Sequence, residues 1–497
     1  MRTNEMTKRR LLRPSLWTMA MTMALGGCSL APTYRLPVTP VATSYKGSAD
    51  GLWQPAKPGD ELSRSDWWSV YQSPQLDQLE HTLDADNPTL AAALARYSGA
   101  QAYVGELRSG LFPHLALDAN PTRQRQSDNR PLRGSGQPDD YDANTVGLGA
   151  SYELDLWGRV RNEVAAGKAQ AQAASADLAS AKLSLEAQLA DMYIRVRGYD
   201  VQARILNDSI QAYTQALQLT KDRFEGGIAS QLDVSRASAQ LSDAQAQTTE
   251  LVAQRALAEH AIASLIGQSA SSFSVAVDTQ PLNVPGIPLG VPSTLLQRRP
   301  DIASAERLTF AANANVGVAR AAFFPSLNLS AGYGWQNTGG GGLLSAANSI
   351  WAIGPLAALT LFDGGLRHAR EREAKASFDM AAAQYRATVL TAFQQVEDNL
   401  TLLDQLGRES QEEDATASSA KDAQDIATNR YREGTVNYLE VVTAQNVTLQ
   451  AQRAGELVRT RRLQASVDLI RALGGGWKPD QLTSVTTAAK TVADRSP

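Results

Sequence analysis

Apolar residues recur along this chain with two different periods, and each period appears in both halves. In segments 113–121 and 145–156 they occupy every second position, so that Val146, Leu148 and Ala150 share one face while small or polar residues take the other. The same alternation returns in segments 325–336 and 350–362. A period of two is typical of a β-strand with one apolar face. The sequence therefore predicts two pairs of strands.

The second period is helical and extends over very long segments. No proline interrupts the chain from Arg159 to Phe224. An apolar seam repeats there at spacings of three and four, which is coiled-coil periodicity. Its members are Leu178, Ala181, Leu185, Leu189, Met192, Val196, Tyr199, Ala203, Leu206, Ile210, Tyr213, Leu217, Thr220 and Phe224. Roughly 65–70 helical residues make a rod about 100 Å long. A second rod, with a less apolar seam, is predicted from about Leu366 to Tyr431.

Each rod ends in the same short motif. "RFEGGIASQLDV" at 223–234 returns as "RYREGTVNYLEV" at 430–441, 207 positions later. An apolar helical segment follows each motif, so the motif marks the reversal of a helical hairpin. The chain is therefore an internal duplication, because one unit that recurs at a fixed spacing indicates a structural repeat. The predicted hairpins lie at about 158–267 and 365–474, and the predicted repeats at 61–280 and 281–476.

The motif has the chemistry of a helix reversal. Gly227 and Gly434 suit the left-handed backbone conformation that ends a helix. Ser230 and Asn437 are good N-cap residues for the returning helices, and each is followed three residues later by an acid.

The strand segments match the wall of a membrane β-barrel. They are about ten residues long, with one apolar face and one small or polar face. A soluble hairpin with one buried face is the alternative. Four strands are too few to close a barrel, and an open sheet edge in lipid leaves backbone groups unpaired. If these strands span a membrane, the chain must therefore pool them with copies of itself.

The N-terminus has the pattern of an export signal. Segment 1–27 combines a basic start with an apolar stretch that is too short to span a bilayer. It ends in "LGGC", which resembles a bacterial lipoprotein signal and makes Cys28 the predicted lipidation site, carrying palmitate or a related acyl chain. An ordinary secretory signal followed by a free thiol is the alternative. Ser29 after the cysteine favours the outer membrane, and residues 28–60 are predicted to form an extended tether. No element is predicted for the tail, 477–497.

Composition excludes several classes of function. The chain has 47 Lys and Arg against 51 Asp and Glu, so it lacks the basic surplus that nucleic-acid binding requires. The four histidines have no metal-ligand spacing, and the "GGGG" run lacks the lysine of a phosphate-binding loop. We therefore expect no enzymatic activity, no metal and no cofactor apart from the covalent lipid on Cys28.

The stretch 291–335, "VPSTLLQRRPDIASAERLTFAANANVGVARAAFFPSLNLSAGYGW", resembles a signature of the outer-membrane efflux factors, the TolC/OprM group, and in particular its NodT-like lipoprotein branch. "DWWSVYQSPQLDQL", "YELDLWGR" and "LFDGG" are also similar to segments of that family. The resemblance implies a fold that is mainly α with membrane β. An internally duplicated protomer would form a homotrimer, whose 12-stranded β-barrel continues as a long α-helical coiled-coil tunnel. It also implies an outer-membrane exit duct for small molecules that works with a periplasmic adaptor and an inner-membrane pump of the RND type.

Carried over by position, the resemblance gives roles to the two hairpin tips. The adaptor would dock on Gly227, Ile228, Ala229, Gly434, Thr435 and Val436. Asp233 and Glu440, with Arg236 nearby, would form a gate or selectivity ring; the alternative is that both acids only complete capping boxes. For Arg298, Arg299, Pro300 and Asp301 we predict a structural role at a helix start.

Two other functions stay open at this point. A type I secretion duct belongs to the same family, and a trimeric coiled-coil adhesin has long helices but carries its strands only at the C-terminal end. The strand assignment itself makes a prediction: charges at Leu148 or Leu329 should hinder assembly, whereas charges at Gly147 or Asn328 should be tolerated better if those residues face the lumen.

Overall fold

The computed structural model describes residues 29–39, 66–127, 129, 136, 138–287, 298–339 and 342–476. The predicted signal segment 1–27, the lipidation site Cys28, the tether from residue 40 and the tail 477–497 lie outside the described residues. Two compact units are present, and each takes pieces of both sequence repeats. The strand unit comprises the described parts of Met1–Pro37, Tyr97–Ala174 and Ala305–Tyr385. The hairpin unit comprises those of Val38–Arg96, Ser175–Ser304 and Arg386–Pro497.

The first repeat begins with a 3₁₀ turn and two short helices. The turn covers Trp67–Tyr71, and helices α1 and α2 cover Pro74–Asp86 and Pro88–Ser109. Strands β1 and β2 follow at His114–Arg125 and Asp140–Glu153. Two long helices complete the repeat, α3 at Arg159–Glu225 and α4 at Gln231–Leu265.

The second repeat has the same order of strands and long helices. Helix α5 covers Pro300–Ala321, and strands β3 and β4 cover Ser326–Asn337 and Ser349–Ala358. Helix α6 runs over Leu366–Arg432 and α7 over Tyr438–Ala472. β1 extends beyond the predicted end at 121, and β2 begins at Asp140, before the predicted 145. β2 and β4 end before the predicted 156 and 362, because the chain there turns into α3 and α6, whose first amides donate to Asp155 and Asp363.

The hairpin unit has one large apolar core and smaller clusters along the hairpins. The large core joins the 3₁₀ turn and α1 to the middle of α3 and α6 and to the ends of α4 and α7. Its fully buried side chains include Trp68, Leu76, Leu83, Leu189, Tyr193, Ile194, Ile262 and Ile266. Burying large aliphatic and aromatic side chains stabilises by about 1.5–3 kcal/mol each, so this region anchors both hairpins.

The predicted seam of α3 is confirmed except at its last residue. Leu206, Tyr213 and Thr220, which are seven residues apart, are almost fully buried. Phe224, at the end of the hairpin, is 42 % exposed. In α6, Tyr385, Val389, Ala392, Val396, Leu400 and Leu403 are buried at spacings of three and four. The helical period therefore correctly located the packed face of the first rod, and the second rod has a packed face of the same period.

The strand unit contains one four-stranded sheet with the order β1-β2-β3-β4, and all of its pairs are antiparallel. The central pair joins the two repeats: Leu148 on β2 is opposite Tyr333 on β3, and Gly147 is opposite Gly334. Within the part of the chain that the structure describes, β1 and β4 each have one unpaired edge.

The first described residues, 29–39, form an extended segment that is fixed along α5 and is therefore not a free tether. Ser29 Oγ donates to Asn162 Oδ1 at 2.9 Å, and Asn313 Nδ2 donates to the Pro32 carbonyl at 2.8 Å. Tyr34 donates to Glu306 Oε1 at 2.7 Å and contacts the ring of Phe310 edge-on. The prediction of an extended segment is right for these residues, but their attachment to α5 was not predicted.

The structural role predicted around residues 298–301 is confirmed for three of them. Pro300 and Asp301 begin α5. The buried Arg299 makes two bonds to Asp301, of 3.0 and 2.6 Å, and also donates to the carbonyl of Ala472, the last residue of α7, at 3.0 Å. Its guanidinium therefore ties the start of α5 to the end of the second hairpin.

Candidate functional site

The two faces of the sheet differ in side chains and in curvature. The face of Gly147 and Gly334 carries mainly small and polar residues, including Ala116, Asn120, Thr145, Ser151, Asn328 and Ser330. The opposite face carries exposed apolar side chains: Leu115, Leu117, Leu148, Leu329, Tyr333, Trp351 and Ile353. This separation agrees with the predicted alternation on β1, β2 and β3. β4 departs from it, since Ile350 and Leu356 on the polar face are also exposed and apolar.

Two opposed glycines show which face is concave. A Cβ atom on Gly334 would lie 2.5 Å from the carbonyl oxygen of Val146 and 2.7 Å from the Cα of Gly147. Directly opposed residues of a regular antiparallel pair have Cβ atoms about 4.5–5.5 Å apart. The strands therefore fold toward the glycine face at this pair. We call the glycine side the concave face and the apolar side the convex face.

The close approach of the strands adds a steric cost at Gly147 that the sequence did not predict. A Cβ on Gly147 would lie 3.0 Å from the carbonyl oxygen of Tyr333 and 3.2 Å from the Cα of Gly334, so a charged side chain there must push the backbone apart. Asn328 already carries a side chain on the same concave face. Tolerance of a charge is therefore expected at Asn328 and not at Gly147.

The hairpin tips have the turn that the motif predicts. Gly227 and Gly434 adopt positive φ angles of 74° and 80°, which is the left-handed region. The amide of Ile228 donates to the Arg223 carbonyl at 2.8 Å, and the amide of Thr435 donates to the Arg430 carbonyl at 3.0 Å. These bonds satisfy the last carbonyls of α3 and α6. No described atom lies within 4 Å of a Cβ placed on Gly227, so the φ angle and not crowding requires glycine there.

The residues expected to dock an adaptor lie in these turns. Ile228 is 75 % exposed, Thr435 is exposed, and Ala229 and Val436 are partly buried. Ile228 is therefore the most exposed large apolar side chain among these six tip residues.

Asp233 completes a capping box. The hydroxyl of Ser230 accepts from the amide of Asp233 at 3.2 Å, and the Asp233 carboxylate accepts from the Ser230 amide at 3.2 Å. Arg236, one turn further along α4, is 3.6 Å from the other carboxylate oxygen. The side chain of Asp233 is only 18 % exposed. Its capping role is confirmed.

Glu440 makes no equivalent contact, so the expected second capping box is wrong. The side chain of Asn437 accepts from the amide of Leu439 at 3.1 Å, two residues on instead of three. The Glu440 side chain is 53 % exposed and faces Arg430 Nη1 at 3.9 Å. The two acids that the motif made equivalent therefore differ, and Glu440 is the one available for another role.

Arg223 makes a connection that the motif did not reveal. Its guanidinium donates to the carbonyls of Tyr431 at 2.6 Å and Arg432 at 3.2 Å, and lies 4.6 Å from the centre of the Tyr431 ring. It therefore binds the C-terminal carbonyls of α6, where a cation is favourable. The motif places an arginine at the same position in both repeats, Arg223 and Arg430. It did not indicate that Arg223 bridges the two hairpins and Arg430 does not.

Buried carboxyl groups lie in the large core of the hairpin unit. Trp67 Nε1 donates to Glu186 Oε2 at 2.9 Å, and Lys182 Nζ is 3.6 Å from Glu186 Oε1. Burial raises the pKa of Glu186 to about 7. Glu80 is fully buried, and among the described residues neither of its carboxylate oxygens has a hydrogen-bond partner. Burial, together with the nearby Glu186 and Asp84, raises the pKa of Glu80 well above its usual value.

The described residues contain no group of three His, Cys, Asp or Glu side chains that would hold a metal ion. Within the same residues, no helix is both long enough and apolar enough to cross a bilayer.

A sheet with one apolar and one polar face, joined to paired helical hairpins, defines a channel-forming outer-membrane protein. The family model described as outer membrane efflux protein matches residues 79–268 and 291–475. The chain is 32 % identical over 458 residues to the outer membrane protein OprJ of Pseudomonas aeruginosa, covering 92 % of this chain and 94 % of OprJ. It is 33 % identical over 479 residues to the toluene efflux pump outer membrane protein TtgC of Pseudomonas putida, covering 93 % and 96 %. The solved outer-membrane channel OprN superposes with a TM-score of 0.82 at 31 % identity, covering 90 % of this chain and all of OprN.

The chain belongs to the outer membrane efflux protein family. The predicted resemblance and the TolC-like fold are confirmed, and the protein belongs in the outer membrane.

Proposed function

We propose that this protein is the exit duct of a tripartite efflux system, a passive homotrimeric channel that passes small molecules out of the cell. The observation that carries the proposal is the sheet. It has four strands, one apolar face, and two edges that no described strand covers. Edges of this kind are not stable in lipid unless other strands pair with them, and β1 and β4 of neighbouring copies supply such strands.

The concave face supports the same arrangement. In a closed barrel the concave side of the wall faces the lumen, and here that side carries glycines, serines, threonines and asparagines. The convex side carries the leucines, isoleucine and aromatic residues that suit contact with lipid. Three copies of the sheet give twelve strands.

The duct has no energy source of its own, so its partners supply the driving force. We infer that a periplasmic adaptor docks on the tip residues Gly227, Ile228, Ala229, Gly434, Thr435 and Val436, and that an inner-membrane pump of the RND type selects the cargo. Small molecules are the favoured cargo because the relative TtgC is named for toluene efflux.

For the gate, the geometry favours Glu440 over Asp233. Asp233 is occupied by the Ser230 cap and faces Arg236, whereas Glu440 is exposed and weakly paired. In a trimer, three Glu440 side chains would form a ring of carboxylates. An outward movement of the hairpin tips would separate these carboxylates and open the gate.

For the membrane anchor, we propose that Cys28 is lipidated. Ser29, the next residue, is held 2.9 Å from Asn162, four residues into the helix that follows β2. This contact holds the start of the described chain close to the end of the sheet. An acyl chain on the preceding residue would then lie near the membrane-facing strands and could insert into the bilayer. Mass spectrometry of the mature N-terminus tests this: a lipid-modified cysteine is expected, and an unmodified Cys28 would contradict it.

Reconstitution tests the channel proposal. The purified full-length protein should run as a trimer by native mass spectrometry and should conduct ions in planar bilayers. Leu148→Lys should impair trimer assembly, since a lysine near the bilayer midplane costs roughly 2–4 kcal/mol, whereas the matched concave-face variant Asn328→Lys should assemble. A monomeric wild-type protein, or equal assembly of both variants, would overturn the assignment.

A further inference from the structure

The concave face of the sheet contains a hollow of about 360 Å³. Four glycines line it, Gly147 opposite Gly334 and Gly149 opposite Gly332, so the strands there expose bare backbone. Asp118 on β1 and Ile350 on β4 line the same hollow, and both belong to the concave face by register. The hollow thus has the charged residue Asp118 on one side and the apolar residue Ile350 on the other.

Asp118 is the unpaired charge of this face. Among the described strand residues, the concave face holds no Lys or Arg, and its only carboxylates are Asp118 and Glu153. Arg159 neutralises Glu153 with two bonds, of 2.8 and 2.6 Å. Asp118 has no hydrogen bond or ion pair with any described residue, and it is exposed. Gly149 provides no side chain to shield it: a Cβ there would lie 3.7 Å from the carboxylate.

A single negative charge in a concave wall has more influence than one on an open surface. The low-dielectric wall focuses the field into the cavity and raises the local concentration of cations. The glycine backbone lets a solute approach the carboxylate closely, and Ile350 offers contact to an apolar portion of the same solute. These features suit organic cations, which combine a positive charge with apolar groups.

We propose that this hollow is a station for cationic solutes in the barrel lumen, and that Asp118 is the residue that sets the preference of the lumen for cations over anions. The inference rests on the proposed function, because only a closed trimer turns the concave face into a lumen and brings three Asp118 side chains to one level.

The test is the reversal potential of the purified full-length channel in a planar bilayer under a potassium chloride gradient. Wild type should prefer potassium over chloride. Asp118→Asn, which keeps the shape and removes the charge, should lower the cation-to-anion permeability ratio at least about twofold, and Asp118→Glu should retain it. Asn328→Gln, on the same face and away from the hollow, is the matched control and should not change the ratio.

A second variant tests the hollow separately from the charge. A Cβ on Gly332 would meet only the Leu148 carbonyl, at 3.9 Å, so a side chain fits there. Gly332→Leu should reduce the permeability of tetraethylammonium relative to potassium and leave the potassium-to-chloride ratio unchanged.

The outcomes separate this inference from the function on which it rests. A wild-type protein without channel activity would overturn the proposed duct and this inference with it. A conducting wild type whose permeability ratio is the same in Asp118→Asn would leave the duct standing and refute the role of Asp118. Unchanged tetraethylammonium permeability in Gly332→Leu would refute the hollow as a station for organic cations.

Discussion

In both hairpins a helix of 67 residues is followed by a helix of 35 residues. Corresponding helices begin 207 positions apart. The long helices begin at Arg159 and Leu366, and the returning helices begin at Gln231 and Tyr438. Yet the tips are held differently. In the second tip Tyr431 and Tyr438 are 5 % and 1 % exposed and meet edge-on at 5.4 Å. At the corresponding positions of the first tip, Phe224 is 42 % exposed and Gln231 is exposed.

This contrast separates the residues that set the backbone conformation from those that set the packing. The positions that are identical in both motifs include the glycine of the left-handed turn, so both tips reverse in the same way. The positions that differ decide what each tip contacts. The second tip is anchored in an apolar cluster with Ala237 and Val441, whereas the first leaves Phe224 and Ile228 exposed. The first tip is therefore the better apolar surface for a partner.

The largest expected effect comes from removing the buried aromatics of the second tip. Tyr438→Ala should destabilise the hairpin by about 3–5 kcal/mol because it leaves a cavity in the cluster with Tyr431 and Val441. Phe224→Ala, at the position in the first tip that corresponds to Tyr431, should cost less than about 1 kcal/mol, since that ring is already partly in water. Hydrogen exchange of the tip amides measures both. Similar losses of protection in the two variants would contradict the asymmetry.

A second contrast between the repeats lies in the large core, where Glu186 occupies the position that Phe393 occupies in the second repeat. The folded-state pKa of Glu186 is raised from 4.5 to about 7, so the folded protein holds a proton that the unfolded chain releases. The resulting stability is fully present below about pH 4.5 and is lost as the pH rises toward 7, on the order of 3 kcal/mol in total.

Glu186→Gln should flatten this dependence, because glutamine does not titrate. Denaturant titrations of wild type and variant between pH 4.5 and 7.5 measure the free energy of unfolding directly. Glu80 contributes with the same sign, since its pKa is also raised, so a shallower slope and not a flat line is expected. A wild-type protein whose stability increases over this pH range would be at odds with both assignments.

A smaller effect distinguishes the paired arginines. Arg223→Gln removes two charge-assisted bonds to the end of α6 and the contact with the Tyr431 ring, for a loss of about 1.5–3 kcal/mol. Arg430→Gln removes only an exposed ion pair at 3.9 Å, with an expected loss of about 0–1 kcal/mol. Protease sensitivity of the tips is a suitable measurement, and equal sensitivity would show that Arg223 does not join the hairpins.

The smallest effects concern the two tip acids. Asp233→Asn should cost about 1 kcal/mol by weakening the capping box, whereas Glu440→Gln should leave stability unchanged. If Glu440 belongs to a gate, its variant should instead alter single-channel conductance or cation preference in bilayers. The double variant combines Asp233→Asn with Glu440→Gln. If its conductance and that of Glu440→Gln both equal the wild-type conductance, neither residue belongs to the gate.

The elements and their repetition follow from the amino-acid sequence alone. A period of two located four strands, spacings of three and four located the seam of the first rod, and the duplicated motif located the reversals at Gly227 and Gly434. These features are local: a strand face, a helix stripe and a left-handed turn each depend on residues a few positions apart. The resemblance of stretch 291–335 to a family signature then indicated the family.

How equivalent positions differ depends on the packing of segments that are distant in sequence. Gly147 lies on the predicted polar face, but a Cβ atom there would be only 3.0 Å from the Tyr333 carbonyl oxygen and 3.2 Å from the Gly334 Cα. Arg223 and Arg430 are the same residue at equivalent positions of the two repeats, but only Arg223 donates to the opposite hairpin. Glu186 lies beside an apolar seam, and its raised pKa comes from burial by α1 and the 3₁₀ turn, distant in sequence. Close approach, bridging and burial depend on which distant segments meet, and the periodicity of one segment does not contain that information.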